Sequence, residues 1–266
     1  MHCIRSAFLK KQKDMKRAKR KTFDALSVPL ICAAYLCLRF LVFPALFAKT
    51  PDSAQAYAAT GAVYGALVLL LPGGAYFALA RLFAEKADER EEKVLLVGTK
   101  REKVLIFVSA VCLTQGAGII PGTGASLPET SGAGYLLLLL ALAVISPVCE
   151  EFFYRKALMT ASRGAGKAAV LFQAALFALA HGVSFGAAYA VTALLCGIIF
   201  GAMAFDSKSI LLPAICHGTC NAVSLALYAG GGDLFLPRAA MLAAGVFSAA
   251  SYAASALKRR KRSSEQ

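Results

Sequence analysis

The sequence predicts an all-α, polytopic membrane protein of about eight transmembrane helices with both termini cytoplasmic. Three observations carry this expectation. Hydrophobic residues make up 58% of the 266 residues and charged residues only 17%, whereas an ordinary soluble domain carries roughly 25% charge. Several mostly apolar runs approach or exceed the roughly 18 residues a helix needs to cross a bilayer. Charge also segregates along the chain. With the N-terminus inside and the spans alternating, 25 of the 29 Lys and Arg residues fall on inside segments, and only Lys49 and Arg238 fall outside. That is the bias expected of cytoplasmic loops.

The elements follow in order. Residues 1–27 read as a basic cytoplasmic tail, with nine Lys or Arg and the lone acid Asp14 in its first 21 residues. The apolar run from Val28 to Ala48 is longer than a signal-peptide core and lacks a small-residue cleavage site, so it reads as the first span. Further spans are expected at Tyr57–Phe83, Val104–Ile120, Tyr135–Leu158, Ala168–His181, Ala187–Phe205, Ile210–Tyr228 and Ala239–Leu257. The membrane domain then covers 28–257, and residues 258–266 form a second basic tail. Two basic tails on one side require an even number of spans; six would leave apolar runs unexplained. The Arg81–Lys103 loop mixes basic and acidic residues and suits a short amphipathic surface helix. Pro121–Thr130, rich in Gly and Pro, reads as an outside connection.

These features exclude a soluble globular protein and an extracellular disulfide scaffold. Seven of the eight cysteines lie in or beside apolar stretches and read as small buried apolar residues. The net charge of +14 belongs to the tails and loops, where it faces anionic lipid. No zinc-finger spacing and no interleaving of aromatic with basic residues points to nucleic acid.

Ionisable groups inside hydrocarbon are costly and mark candidate functional positions. Glu150 and Glu151 follow a long apolar run. Glu151 and Arg155 are four apart and share a helix face, while Glu150 points about 100° away. One glutamate can therefore be paired and the other left for chemistry. His181 sits in Phe177-Ala178-Leu179-Ala180-His181, and His217 and Asn221 are four apart on another helix. Each feature alone has an ordinary structural reading: an interfacial helix end, a bonded histidine, or an interhelical hydrogen-bond pair. Together, carboxylate and imidazoles can activate a water and stabilise the developing oxyanion. The alternative is zinc on Glu150, His181 and His217, although no HExxH spacing is present.

The three motifs, Glu150-Glu151-x-x-x-Arg155, Phe177-x-x-x-His181 and His217-x-x-x-Asn221, resemble those of the CPBP family of intramembrane endopeptidases. That family includes the Rce1-type CAAX prenyl proteases and the bacteriocin-processing and immunity (Abi) proteins. The resemblance covers about Tyr135 to Tyr228, and the earlier spans match only as generic membrane helices. It implies that Glu150 is the base that activates water and that Glu151 is a supporting carboxylate held by Arg155. It makes His181 a second water-orienting group and puts His217 and Asn221 on the oxyanion side. It implies hydrolysis of a membrane-anchored peptide or protein with no cofactor, zinc being the alternative. The chain looks like a bacterial member, in the cytoplasmic membrane and in contact with lipid. Two other readings stay open on the same residues: a non-catalytic immunity or binding protein, and a proton-coupled transporter. At about 1.5 Å per residue, Glu151, His217 and His181 would lie about 10, 12 and 21 Å from the inner ends of their spans. A shared site therefore requires His181 to come within about 12 Å of Glu150.

Overall fold

The computed structural model describes residues 2–46, 53–83, 98–119, 132–230 and 234–264. They form an all-α, polytopic membrane protein. Its long helices are α1 (Ala18–Leu46), α2 (Ala54–Leu82), α3 (Lys100–Gly116), α4 (Ala133–Ala161), α5 (Ala168–Phe185), α6 (Ala187–Ser207), α7 (Leu211–Gly230) and α8 (Phe235–Ser264). The helical run that contains α1 begins at His2. The amphipathic helix expected between Arg81 and Lys103 falls mostly outside the described residues, and so does the Pro121–Thr130 connection.

Among the described residues, seven helices are long and apolar enough to cross a membrane, against the eight expected. The difference is α3, which stands where the third span was expected. It has 17 residues and opens on Lys-Arg-Glu-Lys, so its apolar part is short. The other seven keep large apolar side chains on the outside. Leu30, Leu41, Leu82, Leu136, Leu236 and Phe247 are all exposed, as a lipid-facing surface requires.

The interior relies on close approach and on hydrogen bonds between helices, because lipid gives helices little hydrophobic reason to associate. The α5–α6 pair shows this. Gly186, at a φ of 94° that disfavours a side chain, joins the two helices into a hairpin. A Cβ on Gly197 would come within 2.9 Å of the Ala174 backbone. The fully buried Gln173 donates from Nε2 to the carbonyl oxygens of Val170 and Gly197, each at 2.8 Å. The α1–α4 contact is aromatic. Tyr35 stacks on Phe153 with centroids 4.7 Å apart, and its hydroxyl shares a 2.7 Å hydrogen bond with that of Tyr154.

Two ionic clamps secure the helix ends. Asp24 accepts from Arg20 and from the Tyr76 hydroxyl, and pairs with Arg163 at 3.5 Å. This ties α1 to α2 and to the turn after α4. The second clamp is Glu102, wholly buried in the first turn of α3. Thr99 and Glu102 form a reciprocal capping box. Glu102 also accepts from Gly98 N at 2.7 Å, from Ser255 Oγ at 3.1 Å, and pairs with Arg259 at 3.3 Å. It therefore fixes α3 to α8. Burial opposes its charge, but the Gly98 and Thr99 N–H groups, with Arg259 and Ser255, hold its carboxyl below the usual carboxylate range. A depressed folded-state value stabilises the fold above the unfolded value, and this contribution disappears as pH falls through the folded one. Glu102→Gln is thus expected to lower stability by about 1–3 kcal/mol at neutral pH. The gap from wild type should close as the pH drops below about 4, as thermal unfolding in detergent across pH would show.

Candidate active site

The site begins with Pro147. It lacks an N–H, so a carbonyl one turn earlier loses its intrahelical donor. Helix α4 adapts by running as π-helix over Ala141–Ile145, as α-helix over Ser146–Glu151, and again as π-helix over Phe152–Leu158. Widened turns of this kind accompany functional positions in helices. Helix α7 meets the carbonyl groups of this stretch. Asn221 Nδ2 donates to Leu142 O at 2.8 Å. Gly218 lies directly on the Ala143 carbonyl, which any Cβ there would hit. The spacing of His217, Gly218 and Asn221 thus docks α7 against α4 and brings His217 over the glutamates.

Glu151 and Arg155 form a salt bridge of 3.1 Å with both side chains sealed from solvent. The guanidinium lies 4.5 Å from the Phe177 ring centroid and 5.5 Å from those of Tyr154 and Phe200, a cation–π setting that helps offset its desolvation. His217 Nδ1 lies 3.0 Å from the same Glu151 Oε1. An ionised carboxylate only accepts, so Nδ1 carries the proton and donates. The His217 ring stacks on Phe200, with centroids 5.1 Å apart.

Glu150 turns the other way. Its Oε1 accepts from Ser146 Oγ at 2.7 Å, and Oε2 is buried without a hydrogen-bond partner. His181 Nε2 lies 3.7 Å from Oε2, beyond direct hydrogen bonding. His181 Nδ1 is 2.8 Å from the Phe177 carbonyl oxygen, so Nδ1 donates and Nε2 is left facing Glu150. The Phe177 ring packs against the His181 ring with centroids 4.1 Å apart. Glu150, His181, His217 and Asn221 all line one cavity of about 430 Å³.

The requirement on His181 is thereby met. Counting residues overstated the depth difference because α4 runs on to Ala161. Measured from that end, Glu150 is about 16 Å along its helix, and His181 is about 20 Å along α5. The zinc arrangement is not what the side chains form. His217 directs Nδ1 to Glu151 instead of joining Glu150 and His181, and among the described residues no three His, Cys, Asp or Glu are grouped to hold a metal ion. Sequence reasoning missed Ser146, although its place four residues before Glu150 was a readable signal. It also gave no part to Pro147, or to Arg39, which lines the same cavity.

A polytopic helical membrane protein with buried carboxylate–imidazole pairs around one cavity belongs to the class of membrane-embedded proteins whose site is suited to catalysis. Residues 132–223 match the family model "Type II CAAX prenyl endopeptidase Rce1-like". The chain carries an Rce1-like domain over those residues. The match takes in α4, α5, α6 and α7 as far as Val223, and every site residue above except Arg39. Comparison with curated proteins and with solved structures found no match.

The close approach at Gly218 makes a contrast testable. Gly218→Ala should force α7 from α4 and cost about 1–3 kcal/mol. Gly74→Ala, where a Cβ would meet nothing within 4 Å, should be near neutral. Thermal unfolding of the two variants side by side measures the difference.

Proposed function

We propose that the protein is an intramembrane endopeptidase that hydrolyses a peptide bond in a membrane-anchored protein or peptide, with Glu150 as the base. The supporting observation is the facing pair of acceptors, Glu150 Oε2 and His181 Nε2, 3.7 Å apart on the cavity wall. Two acceptors have no proton to share, and a water donating one O–H to each suits both. That water keeps its lone pairs for a carbonyl carbon in the cavity. As its oxygen bonds to that carbon, one proton passes to Glu150 and the carbonyl electron pair moves to oxygen. The second amide hydrogen of Asn221 is the donor for this oxyanion, with His217 beside it on the same cavity wall. Glu151 holds the His217 ring through Nδ1 and keeps Arg155 paired. When the C–N bond breaks, Glu150 returns its proton to the leaving nitrogen, which gives a carboxylic acid and an amine.

On this reading α3 crosses the bilayer as the eighth span, and both termini are on the cytoplasmic side of a bacterial cytoplasmic membrane. The basic inside segments support that orientation. The test is cleavage of a mixed library of membrane-anchored peptides in defined liposomes, with and without a chelator. Wild type should cleave, Glu150→Gln should lose about 10²–10⁴-fold in rate, and His217→Ala should also fall. The chelator should have no effect; loss of activity with it would restore the zinc alternative. A wild type without product, together with a Glu150→Gln variant that keeps its cellular effect, would favour an immunity or binding protein instead.

A further inference from the structure

The cavity holds a cation that the hydrolysis above does not use. Arg39 lies in the π-helical stretch Leu38–Val42 of α1 and lines the cavity. Its Nη2 donates to the Ala180 carbonyl at 3.2 Å and to the Ser184 hydroxyl. The guanidinium is thus docked on the turn of α5 that carries His181. It lies 4.8 Å from the Tyr64 ring centroid, and its Nε is buried without a hydrogen-bond partner. Among the described residues it has no carboxylate partner, whereas Arg155 is paired with Glu151 and Arg20 with Asp24.

An arginine at membrane depth without a counter-charge is costly. A second arginine, Arg238 in the first turn of α8, also lines the cavity, and its Nη1 donates to the Gly118 carbonyl at 2.7 Å. Among the described residues, Glu150 is the sole Asp or Glu on the cavity wall. Two guanidinium groups against one carboxylate leave the cavity with a positive excess, which fits an anionic guest. The planar fork of arginine matches a carboxylate in particular.

We propose that Arg39 is a carboxylate-binding position of the substrate cavity. It holds an acidic side chain or the C-terminal carboxylate of the bound peptide. Because Ala180 adjoins His181, that carboxylate sits within a few residues of the bond presented to Glu150, at about 3.3–3.6 Å per extended residue. Arg39 thereby sets the cleavage register. The register rests on the endopeptidase reading; the binding preference does not.

The test uses three short, lipid-anchored apolar peptides of otherwise identical sequence. One ends in a free carboxylate. The second is C-terminally amidated and has no acid. The third is amidated and carries one Glu in place of Gln. Binding is titrated on the Glu150→Gln protein in liposomes, and cleavage is followed on wild type. At least one carboxylate-bearing peptide should bind on the order of tenfold more tightly than the neutral one, and which of the two does so identifies the source. Adding Arg39→Gln should abolish the preference, and Arg39→Lys should restore part of it. Equal binding of all three peptides overturns the proposal, even if Arg39→Gln does not fold, because that comparison needs no change at Arg39. A preference that survives Arg39→Gln also overturns it and moves the site to Arg238. Cleavage without any carboxylate preference leaves the endopeptidase reading standing and removes this one. Preferential binding without cleavage does the reverse.

Discussion

The buried charge of Arg155 governs the arrangement around it. A guanidinium shut away from water is tolerable only when its charge is neutralised and its faces are covered. Glu151, one turn earlier on the same helix, supplies the counter-charge with no exposed surface on either partner. Tyr154, Phe177 and Phe200 supply the cover. Those rings come from α4, α5 and α6, and His217 on α7 joins through the same Glu151 oxygen. Four helices are thereby fixed around one ion pair. Glu150, next in the chain, is carried round to the cavity with Oε2 unpaired. The adjacent carboxylates thus divide the labour: Glu151 positions its neighbours, and Glu150 faces the cavity.

Backbone chemistry completes the frame. A proline inside a membrane helix is tolerated where neighbouring groups satisfy the carbonyl it orphans. Asn221 does so from α7, and Gly218 permits the approach. The same economy recurs between α5 and α6, where Gly197 admits Ala174 and Gln173 bonds the carbonyl beside it. The motif residues therefore act in pairs across helix contacts, and the site and the packing of the Rce1-like domain are one system.

Much of this was legible in the sequence. The apolar runs and the segregated charges gave the helical membrane class, because bilayer thickness and the cost of burying charge act on composition directly. The Glu151–Arg155 pairing followed from four-residue spacing. The length of α3 was less legible, since its opening Lys-Arg-Glu-Lys is both a charged flank and the first turn of the helix, with Glu102 serving α8. Helix geometry drawn as uniform also hid the two π-helical stretches and the extra turn of α4, so His181 looked too deep. The partnership of Glu150 with His181 and of Glu151 with His217 depends on how helices rotate against one another. No spacing within one helix reports that rotation. Arg39 was visible as a charge within a span, but its place beside His181 is a tertiary fact.

The central claim is that Glu150 and His181 hold the attacking water between them. A high-resolution structure of the protein in lipid nanodiscs, at a resolution that reveals ordered solvent, tests it directly. The account predicts a water at hydrogen-bond distance, about 2.7–3.0 Å, from both Glu150 Oε2 and His181 Nε2, with its open side toward the cavity. A direct contact between the two side chains that excludes water would contradict it, as would a metal ion bound by them.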